Sequence, residues 1–225
     1  MNPCTPYVAP PILRGEVRFR PIFIGLEGKV EDSTTGFSRD FLKELGYVNQ
    51  GILFEYMARA QIGRVSLRAH YDSYIRTFRG HNSRLDWPEF HLGGDLDLMY
   101  TEPIRLGLDM DFYVARPEFR LEDPVLGAIN IAAPRPATVG GHIVLNPVSI
   151  GRLSVSMEVR ARRSIRTGTR INEYEIAAGL KTPETVLGTV ALRGGFRYSD
   201  IGLEHENIHV DVQWKGGFGE LVYYY

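Results

Sequence analysis

The feature that most constrains the fold of this chain is a two-residue alternation of apolar and polar side chains. It is clearest in Arg152–Arg162, where every second residue is apolar and the residues between are polar or charged. The apolar set is Leu153, Val155, Met157, Val159 and Ala161, and the polar set is Ser154, Ser156, Glu158, Arg160 and Arg162. Successive side chains of a β-strand point to opposite faces. The pattern therefore predicts a strand with one apolar and one charged face.

The alternation recurs through nearly the whole chain and predicts about ten antiparallel strands. They are Glu16–Gly28, Gln50–Ala60, Arg64–Tyr74, His91–Tyr100, Pro103–Arg116, Val139–Pro147, Arg152–Arg162, Ile171–Leu180, Val186–Tyr198 and Ile208–Trp214. Most have roughly the 9–11 residues with which a tilted strand crosses a bilayer. No stretch of linker composition divides them, so we expect one barrel domain over residues 15–225, after an extended, Pro-rich tail over residues 1–14.

The connections between the predicted strands alternate in length. Glu31–Asn49, Thr77–Phe90 and Pro117–Ala137 are long, whereas the connections that follow them, such as Gln61–Arg64 and Thr101–Pro103, are short. Transmembrane up-and-down barrels have short turns on one side and longer loops on the other. The sorted lengths favour an all-β, antiparallel transmembrane barrel. The alternative is a soluble lipocalin-like ligand-binding barrel, with an apolar cavity and a charged outer face.

Composition excludes several other classes. The 26 Lys and Arg residues balance 27 Asp and Glu residues, so no global field attracts nucleic acid. The mean hydropathy is -0.17, and no apolar run approaches the roughly 20 residues of a spanning helix. Cys4 is the only cysteine, which excludes an intrachain disulfide. Residues 1–19 lack the basic and apolar regions of a secretory signal. Either the sequence starts in the mature chain with an added Met, which we favour, or the membrane interpretation is wrong.

One short helix is predicted in the first long loop, over Ser38–Gly46. Ser38 is a suitable N-cap, Gly46 is a suitable C-terminal stop, and Phe41, Leu42 and Leu45 share one face. We expect this helix to pack on the barrel rim as a small lid. Docking to a protein partner or to a membrane surface is the alternative.

The C-terminal segment changes the parity of its apolar residues. Ile208, Val210, Val212 and Trp214 are even-numbered, whereas Leu221, Tyr223 and Tyr225 are odd-numbered. Either a bulge at Gly216–Gly217 absorbs one residue, or Lys215–Gly219 is a turn that another strand follows. The second case would raise the strand count towards twelve.

The overall pattern resembles Gram-negative bacterial outer-membrane β-barrels of the small, non-porin type. The segment Leu42–Gly46 resembles one found in the first hairpin of such barrels, and Gly219, Leu221, Tyr223 and Tyr225 resemble their C-terminal assembly signal. The resemblance implies a location in the bacterial outer membrane and contact with outer-membrane lipid. The long loops offer binding surface, so we expect a structural scaffold or anchor, as one component of a surface complex. A narrow channel for ions or small solutes is the alternative.

If the apolar face meets lipid, the polar face lines the interior. The predicted lining is Glu55, Arg59, Arg68, His70, Asp72, Asp95, Asp97, Arg105, Asp109, Asp111, Glu158, Arg160, Glu173, Glu175, Arg193, Arg197, His209, Asp211 and Lys215. A barrel of about ten strands is much narrower than porins of 16–18 strands, so we expect these charges to pair across a closed lumen. A ring of charges around a narrow ion pathway is the alternative.

No catalytic or metal site is predicted. His70 with Asp72, and His209 with Asp211, each place a base beside a carboxylate on one strand face, but no nucleophile motif accompanies either pair. The segment Glu204–Glu206 lacks the spacing of a metal-ligand set. We therefore expect a protein that is not an enzyme and holds no cofactor. Its expected partners are membrane lipid and proteins that contact the long loops or the segment Ser38–Gly46.

Overall fold

The structure is a computed structural model that describes residues 13–45, 50–73, 77–79, 83–86, 90–101, 103–123, 127–132, 134–150, 152–165 and 168–225. Fifteen strands occur in these ranges. They are β1 (Arg14–Asp32), β2 (Phe37–Asp40), β3 (Gln50–Ile62), β4 (Val65–Ser73), β5 (Thr77–Arg79), β6 (Ser83–Asp86), β7 (Phe90–Tyr100), β8 (Ile104–Tyr113), β9 (Glu118–Asp123), β10 (Gly127–Ala132), β11 (Ala137–Ile150), β12 (Leu153–Ser164), β13 (Thr169–Lys181), β14 (Thr189–His205) and β15 (Ile208–Tyr224).

Ten of these strands close into one antiparallel barrel. Its order is β1, β3, β4, β7, β8, β11, β12, β13, β14 and β15, so each barrel strand pairs with the next one along the chain. β15 then pairs with β1, from Glu16 opposite Tyr224 to Asp32 opposite Ile208. The ten-stranded up-and-down barrel predicted from the alternation is confirmed. Its start at Arg14 falls next to the predicted domain boundary, and residues 1–12 of the predicted tail lie outside the described ranges.

The end of the barrel with the long loops carries additional structure. β2 pairs with the last residues of β1, and β5, β6, β9 and β10 form a separate four-stranded sheet. This sheet is built by the predicted loops Thr77–Phe90 and Pro117–Ala137, whose short strands the sequence analysis did not identify. We call β2, the turns at residues 41–45 and the four-stranded sheet the cap. The cap contributes buried apolar residues, including Phe119, Leu121, Ile129 and Ile131.

The predicted helix Ser38–Gly46 is wrong in the described part of the chain. Ser38 lies in β2, where residues 37–40 satisfy their backbone groups by pairing with β1. A single turn begins at Asp40, whose carboxylate accepts hydrogen bonds from the backbone N–H groups of Leu42 and Lys43, both at 2.9 Å. Leu45 closes the turn with a backbone hydrogen bond to Asp40 O at 3.0 Å. Because residues 37–40 pair as a strand, the capping residue is Asp40 instead of the predicted Ser38. Gly46 lies outside the described residues.

Both explanations offered for the parity change near the C-terminus are also wrong. β15 runs without a break from Ile208 to Tyr224, and its register with β1 and β14 does not shift. Even-numbered residues face the barrel interior along its whole length, so Trp214 and Val222 are buried while Leu221 and Tyr223 are exposed. The apolar residues change parity because the polarity of the two barrel faces is exchanged part-way along the strand.

The outer surface of the barrel shows this exchange clearly. On β14, the outer face carries the exposed side chains of Val190, Leu192 and Phe196 and the half-buried ring of Tyr198. Asp200 and Glu204 continue the same face. Val190 and Tyr198 are eight residues apart, about 26 Å along an extended strand. On a strand with the usual tilt, this gives a band roughly 20 Å high, near the apolar band height of membrane barrels. Tyr174 and Tyr198, with ring centroids 6.3 Å apart, mark its upper edge.

The interior has the reverse arrangement. Along the inward face of β1, the buried residues Glu16, Arg18 and Arg20 near the short-turn end are followed by buried apolar residues, from Ile22 to Val30. The barrel is therefore apolar outside and charged inside near the short turns, and polar outside and apolar inside near the cap. Among the described residues, no helix is long and apolar enough to span a lipid bilayer.

Candidate functional site: the filled barrel interior

The charged half of the interior holds a large group of buried ionisable side chains. It contains eight arginines, ten carboxylates and three histidines, all buried. They are Arg18, Arg20, Arg59, Arg68, Arg160, Arg162, Arg193, Arg197, Glu16, Glu55, Asp95, Asp97, Asp109, Asp111, Glu158, Glu173, Glu175, Glu220, His70, His91 and His142. We call this set the interior charge network. Burial of so many charges is tolerable only when opposite charges compensate one another.

Arginines compensate the carboxylates by bridging strands. Arg68 on β4 places its guanidinium nitrogens 2.6 Å from an oxygen of Asp95 on β7 and 2.9 Å from an oxygen of Asp111 on β8. Arg162 on β12 also contacts Asp111 and lies 2.9 Å from Glu173 on β13. Each of these arginines therefore joins side chains from at least three strands.

The bridges also cross the barrel. Arg20 on β1 donates two hydrogen bonds to Glu175 on β13, at 2.7 and 2.8 Å, and a third to Glu220 on β15 at 2.8 Å. Arg197 on β14 donates to Glu55 on β3 at 2.6 Å and to Glu173 at 3.0 Å. Paired, charge-assisted hydrogen bonds of this kind fix both partners in a defined geometry. They fill the lumen with cross-links between walls.

Glycines make room for this packing. A side chain at Gly93 on β7 would collide with Asp111 Oδ1, and one at Gly107 on β8 would collide with the ring of His142. Both glycines lie on the inward face, next to a neighbouring strand that supplies the larger side chain. The sequence thus places a glycine, which has no side chain, beside each of these buried polar groups.

The apolar half of the interior lies above the network and is continuous with the cap. Ile22, Leu26, Leu53, Trp214 and Phe218 pack from the barrel wall. Phe41 and Phe119 close this apolar core from the cap, with their fully buried rings stacked at 5.7 Å.

Two cation–π contacts form the junction between the halves. Arg20 Cζ lies 4.2 Å from the centroid of the Phe218 ring, and Arg197 Cζ lies 4.9 Å from that of Trp214. The two arginines therefore face carboxylates on one side and the apolar core on the other.

Most of the residues predicted to line the interior lie together in the network. Those that are buried there are Glu55, Arg59, Arg68, His70, Asp95, Asp97, Asp109, Asp111, Glu158, Arg160, Glu173, Glu175, Arg193 and Arg197. Asp72 lies on the same face of β4, opposite Glu55 in the β3–β4 pairing. Arg105 is on the inward face of β8 but at the short-turn end, where it is half-buried 5.7 Å from the centroid of Tyr100.

The three predicted residues on β15 lie elsewhere. Asp211 is on the outer face and pairs with Arg170 at 2.7 Å. Lys215 pairs there with Glu27 at 3.0 Å, and His209 Nδ1 lies 4.0 Å from Glu204. These placements correct the prediction. The apolar residues of β15 between Ile208 and Trp214 face the core, which leaves the charged residues between them on the outside.

Several members of the network were missed by the sequence analysis. Glu16, Arg18 and Arg20 alternate on one face of β1, and this regular spacing could have identified them. Glu220 could not be assigned because the parity of the last strand was unresolved. His142 fits beside Gly107 of the neighbouring strand, a pattern that carries no clear sequence signal. His91 is buried on the inward face of β7 and was not singled out either.

The histidines do not form the catalytic pairs considered from the sequence. His70 stacks on His91 with ring centroids 4.3 Å apart, and His91 stacks on Tyr113 at 4.8 Å. The carboxylate oxygen Glu55 Oε1 lies 3.9 Å from Nδ1 of His70. These rings fill space in the network beside its carboxylates.

One group of side chains has the composition of a metal site. Ligand atoms of Asp95, Asp109 and His142 lie within 4.8 Å of one another, and all three residues are buried. Arg68 already lies 2.6 Å from Asp95, and Arg160 lies 3.3 Å from Asp109. Because these guanidinium groups compensate the two carboxylates, their charge opposes a further cation at this position.

Several solved structures of bacterial proteins are similar to this chain at low sequence identity. No protein-family model and no curated protein matches the chain. The outer-membrane protease OmpT of Escherichia coli has a TM-score of 0.40 and 12% identity, covering 93% of this chain and 97% of that one. A Pseudomonas aeruginosa FadL homologue has a TM-score of 0.35 and 9% identity, covering 95% and 90%. For the Ralstonia pickettii toluene transporter TbuX, the TM-score is 0.28, the identity is 8% and the coverage is 93% and 89%.

Proposed function

We propose that this chain is an integral β-barrel of a bacterial outer membrane that anchors and presents a folded cap at the cell surface, and whose lumen is closed. The observation that carries this proposal is that packed side chains block the lumen in both halves of the barrel. Cross-linked charges occupy the half near the short turns, and an apolar core occupies the half near the cap. Such an interior favours a structural scaffold over a channel.

The distribution of polarity supports the membrane location. An apolar outer face around a charged interior suits lipid outside and paired charges inside. A soluble lipocalin-like barrel needs the reverse, with an apolar cavity and a charged outer face. In outer-membrane barrels with an even number of strands, the chain termini lie on the short-turn, periplasmic side. On this basis the cap is extracellular and offers a surface to protein partners.

The closed lumen distinguishes this proposal from a narrow channel. An ion pathway along the axis would have to pass the bridges of Arg20 and Arg197 and then the stacked rings of Phe41 and Phe119. We therefore assign the interior charges to stability and not to selectivity. The proposal also includes no catalytic role for His70, which is engaged by His91 and buried.

Two experiments test the proposal. The membrane location predicts that the protein sediments with the outer membrane, requires detergent for extraction and migrates differently on electrophoresis before and after heating. A protein that stays soluble without detergent would contradict it. The closed lumen predicts no conductance steps in a planar bilayer, with an open porin recorded under the same conditions as the positive control. Reproducible steps from the purified chain would replace the scaffold by the channel.

A further inference from the structure

A cavity of about 720 Å³ opens at the short-turn end of the barrel, away from the cap. Arg14, Lys181, Tyr100 and Tyr224 line it, together with the turn between β13 and β14. Tyr100 on β7 and Tyr224 on β15 are four strands apart around the barrel in one direction, so the cavity spans its lower mouth. Its size is within the usual range for ligand pockets.

The cations at this mouth differ from those of the interior charge network. Arg14 Cζ lies 4.4 Å and Lys181 Nζ 4.9 Å from the centroid of the same ring, that of Tyr224. Arg105 lies over Tyr100 nearby. Among the described residues, no carboxylate forms an ion pair with any of these three, whereas each arginine of the network contacts at least one. The one acidic side chain in the lining is that of Glu184.

We infer that this mouth binds the phosphate group of an anionic ligand, and that the ligand is a phospholipid headgroup from the periplasmic leaflet. Arginine and lysine are the usual phosphate-binding side chains, and here they are held on one aromatic ring without a competing acid in contact. The arrangement leaves positive charge available at the water-facing end of a cavity. This binding goes beyond the scaffold role proposed above.

The apolar rim of the cavity favours a phospholipid over free phosphate as the ligand. Val186 and Leu187, at the tip of the β13–β14 turn, are almost fully exposed, as is much of Leu13. These side chains adjoin the mouth and the apolar outer band, so an acyl chain can lie against them while its phosphate reaches Arg14 and Lys181. A free phosphate would use the cations but gain nothing from this apolar rim.

The experiment measures phosphatidylglycerol binding to the full chain in detergent by native mass spectrometry, with inorganic phosphate as a competitor. We expect the double variant Arg14→Gln with Lys181→Gln to bind this lipid at least about tenfold more weakly, since two charge-assisted contacts are lost. The control is Lys29→Gln with Lys43→Gln, which removes the same charge from exposed positions near the cap. Its affinity should be unchanged.

The outcomes separate the two sources of phosphate. Lipid binding that millimolar inorganic phosphate does not displace supports a headgroup site. A different result is that inorganic phosphate occupies the site as strongly as the lipid does, with only the double variant Arg14→Gln, Lys181→Gln losing that binding. This result overturns the lipid assignment and leaves a free-phosphate site. Equal lipid binding by all three proteins, or by none, overturns the site itself. The heat-induced shift on electrophoresis verifies that each variant is folded, and the single variant Lys181→Gln serves if the double variant is not.

Discussion

Arg197 holds its guanidinium carbon 4.9 Å from the centre of the Trp214 ring while one of its nitrogens lies 2.6 Å from Glu55. These contacts place one arginine at the boundary between the interior charge network and the apolar core. A second arginine, Arg20, repeats the arrangement against Phe218. The two halves of the barrel interior therefore meet through residues that satisfy both environments.

Replacement of Arg197 by methionine should strongly destabilise the barrel. The variant keeps a long apolar side chain against Trp214 but removes the positive charge shared by Glu55 and Glu173. Removal of one partner from a buried ion pair typically costs about 3–5 kcal/mol. The free energy of unfolding in urea, measured in lipid vesicles, is the appropriate readout.

Arg170→Met provides the matched control for this prediction. Arg170 pairs with Asp211 on the outer face, where its side chain is half exposed. An exposed pair contributes roughly 0–1 kcal/mol, so this variant should unfold close to the wild type. Similar losses of stability in both variants would mean that the interior charges are no more important than surface charges.

The difference between Arg197 and Asp211 shows what the sequence could reveal. Alternation identifies the two faces of a strand, and Arg193 and Arg197 share the buried face of β14. Alternation does not state which face is inside. On β15 the apolar residues Val210 and Val212 face a core that tertiary packing creates, so Asp211 was assigned to the wrong face.

Truncation of the stacked phenylalanines should loosen the cap without opening the barrel. Phe41 and Phe119 are fully buried, and their ring centroids lie 5.7 Å apart at the cap end of the apolar core. Phe119→Ala should cost about 3–5 kcal/mol of local packing. Limited proteolysis should then cut the cap at lower protease concentrations, while the heat-induced shift of the barrel persists. Phe196→Ala, on the outer face, is the control, and cap cleavage in that variant as well would contradict the prediction.

The cap itself illustrates a second limit of sequence reasoning. Phe119 and Leu121 on β9, and Ile129 and Ile131 on β10, alternate as strand residues do. Each of these strands has only six residues with two large apolar side chains, and the flanking prolines Pro117, Pro124 and Pro134 favour a loop. Similarly, Ser38 has the residue type of an N-cap, but pairing between β2 and β1 decides the local structure. Contacts distant in sequence override the local signal in both cases.

Substitution of Gly93 by alanine should disturb the interior charge network. The added methyl group would meet Asp111 Oδ1, which lies 2.9 Å from Arg68. We expect a loss of about 1–3 kcal/mol, as for overpacking elsewhere. Gly219→Ala is the control because nothing lies within 4 Å of the added atom. Chemical denaturation of the two variants side by side measures the difference, and equal stability would show that Asp111 can move without cost.

The exchange of polarity along the strands predicts where the membrane ends on β14 and β15. Phe196 lies in the apolar band. Gln213, on the outer face of β15, is exposed opposite Asp200 and lies beyond the band. Since Cys4 is the only cysteine, a Cys4→Ser chain provides a background for single substitutions. In lipid vesicles, a membrane-impermeant maleimide should label Gln213→Cys readily and Phe196→Cys poorly. Both variants should label equally after denaturation. Equal labelling in the folded protein would place the two positions in the same environment and remove the membrane boundary assigned at Tyr198.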